Sequence, residues 1–152
     1  MNPAPALIRD FTPEATDALV RMWRASFEHG VGVKDPHAVS EQVEFFRTNV
    51  VPNNRVRTAW QGQELVGFLA STGESISQLY VRVDHLGQGI GSQLVRLAQA
   101  ESSGNLWLFT FARNKRACSF YESRDFKVTA RGFEPNWQLE DVKYVWSAPG
   151  AA

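Results

Sequence analysis

The sequence predicts an α/β protein of the α+β kind: a mixed, mostly antiparallel central sheet flanked by helices. Three observations carry this. Alternating apolar runs joined by tight turns come first, in the middle of the chain, and read as hairpins. A strand, a glycine-rich turn and an amphipathic helix follow from Leu79 onward. Further apolar strand-like runs then alternate with one more helical pattern. Hairpins followed by strand–helix–strand indicate a mixed sheet rather than a doubly wound parallel one.

Ala6–Arg9 is a short first strand. Thr12 resembles an N-cap and Pro13 suits the first helical position. Ala15, Leu19, Met22, Trp23, Ser26 and Phe27 then mark one face of a helix ending near Gly30. A second helix begins after Asp35-Pro36 or Ser40, carries Val39, Val43 and Phe46, and ends at Pro52-Asn53-Asn54. Val56, Thr58 and Trp60 alternate in a strand, Gln61-Gly62-Gln63 turns, and Leu65–Ala70 returns. After Gly73 the phase slips: Ile76 cannot share a face with Leu79 and Val81 on a regular pleated strand. Either Ile76 faces the opposite side, or one inserted residue near Ser77 or Gln78 makes a β-bulge.

A helix from Gly89 to about Ala100 is followed by a polar break at Ser102–Asn105. Leu106–Phe111 is almost continuously apolar, as expected of a central strand covered on both faces. A short helix from Asn114 to Ser123 and strands at Phe126–Ala130 and Lys143–Trp146 complete the pattern, with Pro135 and Asn136 in the last loop. Residues 1–147 read as one domain and 148–152 as a flexible tail.

At 152 residues with 43% hydrophobic content, ten Phe and five Trp, the chain can bury a sizeable core. Sixteen basic and sixteen acidic residues cancel without a basic block, which argues against a nucleic-acid partner. The lone Cys118 permits neither an internal disulfide nor a cysteine metal site. No apolar run reaches the roughly 18 residues that span a bilayer, and the opening residues lack signal-peptide character. A cytoplasmic protein without a membrane partner is expected.

Leu79–Leu94 is the stretch around which the chain is organised. Gly87, Gly89 and Gly91 lie in five residues before a helix whose first N–H groups have no intrahelical partner. Such a turn is a main-chain cradle for a phosphate or pyrophosphate. No Lys follows the last glycine, which excludes a P-loop, and Gly91 comes one residue too early for a dinucleotide fingerprint. The loop resembles the acyl-coenzyme A signature of the Gcn5-related N-acetyltransferase (GNAT) superfamily, Gln/Arg-x-x-Gly-x-Gly/Ala. Gly89 and Gly91 fill its glycine positions, and Leu86 stands where the family usually has Gln or Arg.

A second segment, Trp107–Phe126, is similar to the family's closing pattern. Asn114, Ala117, Phe120, Tyr121 and Phe126 match it in place, while Asp125 replaces the usual glycine. Asp tolerates left-handed backbone angles better than most residues. The resemblance implies a GNAT fold with splayed middle strands, the gap after the bulged strand admitting the pantetheine arm. It also implies acetyl-CoA as co-substrate, no metal, and contacts from Leu79, Tyr80, Val81, Leu86, Gly87, Gln88, Gly89, Ile90, Gly91, Ser92, Asn114 and Ala117.

The implied reaction is direct attack of an amine on the thioester, with Tyr121 protonating the leaving thiolate. A phenol is protonated at neutral pH and can donate to that sulfur. Asn114 is also simply a helix cap, and Tyr121 is also a core aromatic. Glu74, before the coenzyme-facing strand, is the expected base; Glu28 and His29, ending the first helix, are expected to wall the acceptor site. The lack of an acidic tract favours a small-molecule amine acceptor. Departures at Leu86 and Asp125 keep open an acyl-CoA sensor or catalytically silent relative, and a protein or peptide N-acetyltransferase is the third reading. A homodimer is compatible with the resemblance.

Overall fold

The structure, a computed structural model, describes residues 5–150. Residues 1–4 of the opening segment and the last two residues of the expected tail lie outside it. The strands are β1 (Leu7–Asp10), β2 (Arg55–Gln61), β3 (Glu64–Ser71), β4 (Ile76–Val81), β5 (Asn105–Phe111), β6 (Lys127–Glu134) and β7 (Leu139–Ser147). The helices are α1 (Thr16–Val31), α2 (Val39–Phe45), α3 (Val51–Asn53), α4 (Ile90–Ala100) and α5 (Lys115–Glu122).

The sheet is divided where one sheet was expected. β1-β2-β3-β4 form one antiparallel ladder and β5-β7-β6 another. They touch through a parallel bridge between Ser75 and Trp107, beside a bond from Trp107 N–H to Glu74 O at 3.1 Å. Beyond that bridge β4 and β5 part, and the gap between them is the splay that the resemblance implies. The phase slip at Ile76 is a bulge. The register passes from Ser71↔Ile76 to Ala70↔Gln78, leaving Ser77 as the inserted residue.

α1 ends one residue later than expected, at Val31. Gly32 closes it with φ +79° and a bond from its N–H to Glu28 O, a left-handed cap that glycine adopts without strain. Thr12 supplies its carbonyl, not its side chain, to Ala15 N–H in a 3₁₀ turn ahead of α1. α2 widens through a π-helical segment, Phe46–Val50, into α3. Pro52 cannot donate to residue 48, and in a regular helix its ring would collide with that carbonyl. The Val51 N–H bond to Phe46 O is the wider turn that replaces it.

Apolar residues fill both faces of the first ladder. Leu19, Val20, Trp23, Phe27 and Phe46 pack with Phe68 and Leu65 on the α1–α2 side. Leu94, Val95, Leu106, Leu108, Phe126 and Tyr144 pack with Val66 and Leu69 on the other. β3 is therefore the strand covered on both faces. β5 is not: Leu106 and Leu108 are buried, but Trp107 and Phe109 are 41% and 55% exposed. Among the described residues no helix covers that side of β5, and Lys143 Nζ stands over the two rings at 5.3 and 5.9 Å instead. β6 and β7 are longer than the sequence pattern suggests. At the tail, Ala148 N–H is tied to Gly104 O at 2.8 Å, so order continues past Ser147.

Candidate active site

Arg82 N–H bonds to Val66 O at 2.8 Å. Alternation in the antiparallel ladder then turns the Tyr80 peptide groups toward β3 and those of Leu79 and Val81 into the gap. Among the described residues no strand pairs with β4 on that side beyond the Ser75–Trp107 bridge, which leaves the Leu79 N–H, the Leu79 C=O and the Val81 N–H without a ladder partner. Val81 C=O has a side-chain partner: Ser26 Oγ of α1 donates to it at 2.8 Å.

The chain leaves β4 through a 3₁₀ turn (Val83–His85) and reaches two left-handed glycines, Gly87 at φ +80° and Gly89 at φ +86°. Gly89 caps α4, and Gln93 N–H makes the first bond back, to Gly89 O at 3.0 Å. The N–H groups of Ile90, Gly91 and Ser92 are thus without helical partners and the helix dipole adds to them. A Cβ built at Gly89 would meet nothing within 4 Å; the space in front of the loop is open. At Gly91 a Cβ would stand 3.1 Å from the Phe120 ring. This glycine allows the close approach of α4 to α5. Leu86 packs its side chain on the core, and its N–H points to Val83 O at 3.4 Å.

These elements enclose an open cleft of about 400 Å³. Leu79, Tyr80, Val81, Leu86, Gly87, Gly89, Ile90, Gly91, Ser92, Asn114, Ala117, Tyr121 and His29 all line it. Gln88 does not. Glu74 sits in the exposed turn before β4, its N–H bonded to Thr72 Oγ1. The whole of β4 separates it from Val81, roughly 20 Å at about 3.3 Å per residue, so the expected base is not at this site. Glu28 is likewise turned away: its Oε2 accepts Asp35 N–H at 2.7 Å and holds the loop after α1. Among the described residues no three His, Cys, Asp or Glu side chains converge as a metal-binding group, and no helix is long and apolar enough to cross a membrane.

Asn114 caps α5, its Oδ1 accepting Ala117 N–H at 3.1 Å. Its side chain fits against Gly30, where a Cβ would come within 2.6 Å of Nδ2. Asp125 adopts φ +66°, the left-handed turn that glycine would otherwise supply. That turn returns Phe126 N–H to Tyr121 O at 3.1 Å. Tyr121 is 7% exposed and packs edge-on to Phe120 and Phe126. Burial, then the neighbouring Tyr80, push its phenol well above the ordinary value, with Arg124 opposing. Tyr80 is pushed up to about 12 by burial, opposed by the Trp23 indole.

Sequence reasoning missed three polar side chains here. Ser26 was read only as part of an apolar helix face. Arg124 lies flat over Phe120 at 3.8 Å, donates to Phe120 O at 3.0 Å, and reaches Ser92 Oγ. Arg116 Nη2 lies 3.8 Å from where a Cβ on Gly87 would stand. Both guanidinium groups place positive charge beside the glycine loop. They are far from it in sequence and reach it only because α5 packs on α4.

The profile of the acetyltransferase (GNAT) domain family matches residues 52–128, which contain the loop, the splayed strand and Tyr121. The chain belongs to the GNAT acetyltransferase family. It is an acetyl-CoA-dependent N-acetyltransferase. Over 125 residues, 82% of its length, it is 32% identical to the peptidyl-lysine N-acetyltransferase YjaB of Salmonella typhimurium, covering 85% of that protein. The solution structure of apo YjaB from Escherichia coli superposes with a TM-score of 0.79 at 22% identity, over 95% of this chain and 99% of that one. A putative acetyltransferase of S. typhimurium, yncA, solved with acetyl-CoA, has a TM-score of 0.70 at 14% identity, over 98% and 97% of the two chains.

Proposed function

We propose that this GNAT enzyme transfers acetyl from acetyl-CoA to a primary aliphatic amine, by direct attack within the cleft between β4 and β5. The observation that carries the reading is the set of unpartnered main-chain groups on its walls. The N–H groups of Ile90–Ser92 face open space suited to a pyrophosphate. The free peptide groups of Leu79 and Val81 can pair with an extended pantetheine arm as a strand would. Arg116 and Arg124 add charge at the phosphate side. Asn114 Nδ2 is left to donate, since its Oδ1 is used in capping.

Within that arrangement the Val81 or Leu79 N–H takes the developing oxyanion of the attacked carbonyl. Tyr121 donates a hydrogen bond to the leaving sulfur, and its raised phenol stays protonated throughout the neutral range. Because a phenol is a weaker acid than a thiol, its contribution is a hydrogen bond that strengthens as charge grows on sulfur. The amine must shed a proton before attack. With Glu74 outside the cleft, His29 on the α1 wall takes that role, its imidazole being part of the cleft lining. Cys118 is outside the lining, with Sγ near Phe111 O at 3.8 Å, and has no part in the transfer.

The acceptor we favour is a lysine side chain in a peptide, because the 32% identical relative bears the name of a peptidyl-lysine N-acetyltransferase. A free small amine is the second reading, favoured by the absence of any acidic tract to hold a basic tail. The test is an acceptor screen with acetyl-CoA and free-thiol readout, spanning lysine peptides, peptide N-termini, polyamines, amino acids and aminoglycosides. Turnover of lysine peptides above all others is expected. Turnover of small amines alone selects the second reading. Tight acetyl-CoA binding with no turnover of any amine rejects transfer in favour of a sensor.

A further inference from the structure

We propose that Ser26 is a positioning residue for acetyl transfer: its hydroxyl stands in for the missing neighbour strand at Val81 and fixes the direction of the β4 peptide groups that receive the thioester. This rests on the reading of the β4–β5 gap as the transfer site. A strand that leaves its sheet neighbour keeps each peptide unit bonded on the ladder side only, with the N–H and C=O of every second residue facing the gap. Here the Val81–Arg82 peptide is held from both sides. Its N–H is given to Val66 O at 2.8 Å and its C=O receives Ser26 Oγ at 2.8 Å. Among the described residues the preceding gap-facing groups, the Leu79 C=O and N–H and the Val81 N–H, have no such second tie, and their peptides are held from the β3 side alone.

The clamp settles the plane of the last peptide of β4, and with it the ψ available to Val81. Val81 N–H lies one peptide back, in the unit whose Tyr80 C=O turns toward β3, so both peptide planes that flank Val81 are held. Ser26 also ties the strand to α1, whose same face brings His29 and Gly30 to the cleft wall. The donor amide on β4 and the imidazole on α1 are therefore tied by this hydrogen bond, beside the packing of Trp23 on Tyr80. Ser26 Oγ is also 3.7 Å from Met22 Sδ, a weak contact that does not compete with the carbonyl. A bland capping role is excluded by position, because Ser26 is in the middle of α1 and its hydroxyl bonds across to a different element rather than to its own helix.

Ser26→Ala and Ser26→Thr separate positioning from structure. Nuclear magnetic resonance of the free protein and calorimetry with acetyl-CoA need no acceptor. The expected result is a shift of the Val81 and Arg82 amide resonances in Ser26→Ala, with acetyl-CoA affinity within about threefold of wild type, and recovery of the wild-type resonances in Ser26→Thr. With a lysine peptide as acceptor, kcat should fall about tenfold in Ser26→Ala, the scale of one well-placed hydrogen bond, while KM for acetyl-CoA stays nearly constant. Ser26→Thr should regain most of kcat. Unmoved amide resonances in Ser26→Ala overturn the proposal whether or not any acceptor is turned over. So does a loss of kcat shared equally by both variants in step with thermal stability. If no amine is acetylated by the wild type, the transfer reading fails, and the resonance shifts still decide whether Ser26 sets the β4 geometry.

Discussion

Replacing Tyr121 by Phe removes one oxygen from the cleft wall and leaves the ring that packs on Phe120, Phe126 and Tyr144. The Tyr121 hydroxyl has no hydrogen-bonded partner among the groups that shift its ionisation. Losing it therefore costs no protein hydrogen bond and relieves the burial of a polar group. The folding free energy should change by no more than about 0.5 kcal/mol, in either direction. At about 2–4 °C per kcal/mol for a chain of this size, the midpoint should move by no more than roughly 2 °C. Tyr144 gives the contrast. Its hydroxyl donates to Glu122 Oε2 at 2.5 Å, and Tyr144→Phe should cost about 1.5 kcal/mol, as for a hydrogen bond to a charged group.

The rate should respond in the opposite proportion. General acids contribute about 100- to 10,000-fold, but the phenol hydrogen-bonds to the leaving sulfur without full transfer, and water in an open cleft can partly substitute. A loss of about 10- to 100-fold in Tyr121→Phe is expected, with acetyl-CoA affinity kept. Single-turnover transfer to a lysine peptide, with melting and calorimetry on the same preparation, measures all three. A wild-type rate under conditions where chemistry limits would refute the reasoning, as would a rate loss matched by lost stability or lost coenzyme binding.

The two glycines of the cradle should behave differently. Gly89→Ala forces a left-handed alanine, costing about 1–2 kcal/mol, and should weaken acetyl-CoA binding because its Cβ enters open cradle space; unchanged affinity would count against the loop. Gly91→Val should chiefly destabilise, by about 1–3 kcal/mol through overpacking on Phe120, and a variant melting like wild type would contradict that packing account. The pH dependence follows from the three tyrosines, all raised by burial, with Tyr80 at about 12. Because the folded values lie above the unfolded one near 10, their contribution is complete below pH 10 and is lost as pH rises beyond it. Ultraviolet titration should show little tyrosinate while the fold persists, then a cooperative appearance on alkaline unfolding; gradual ionisation near pH 10 in the folded protein would refute the burial argument.

Most of the fold was legible because its signals are local. The slip at Ile76 marked the Ser77 bulge, and the glycine run marked the start of α4. Asp125 was readable as a left-handed position from its chemistry alone. What failed depended on distant neighbours. The apolar run Leu106–Phe111 suggested a doubly covered strand, yet Lys143 from β7 shields Trp107 and Phe109 where no helix does. Glu74 precedes the right strand, as expected, but at the end of it away from the cleft. Ser26 looked like a helix-face residue because its partner, the Val81 carbonyl, lies 55 positions away. Arg116 and Arg124 declared no pattern, since only the packing of α5 on α4 brings them to the loop.

The central claim is direct transfer to an amine in the cleft, and one labelled turnover tests it. Enzyme mixed with a single equivalent of acetyl-CoA carrying a ¹³C-acetyl group, and an excess of an Nα-blocked lysine peptide, is quenched after one turnover and weighed by mass spectrometry. The account predicts the label on the lysine ε-nitrogen, one equivalent of free thiol, and an unmodified protein with Cys118 intact. Thiol release without an acetylated amine, or label held on the protein itself, would contradict it.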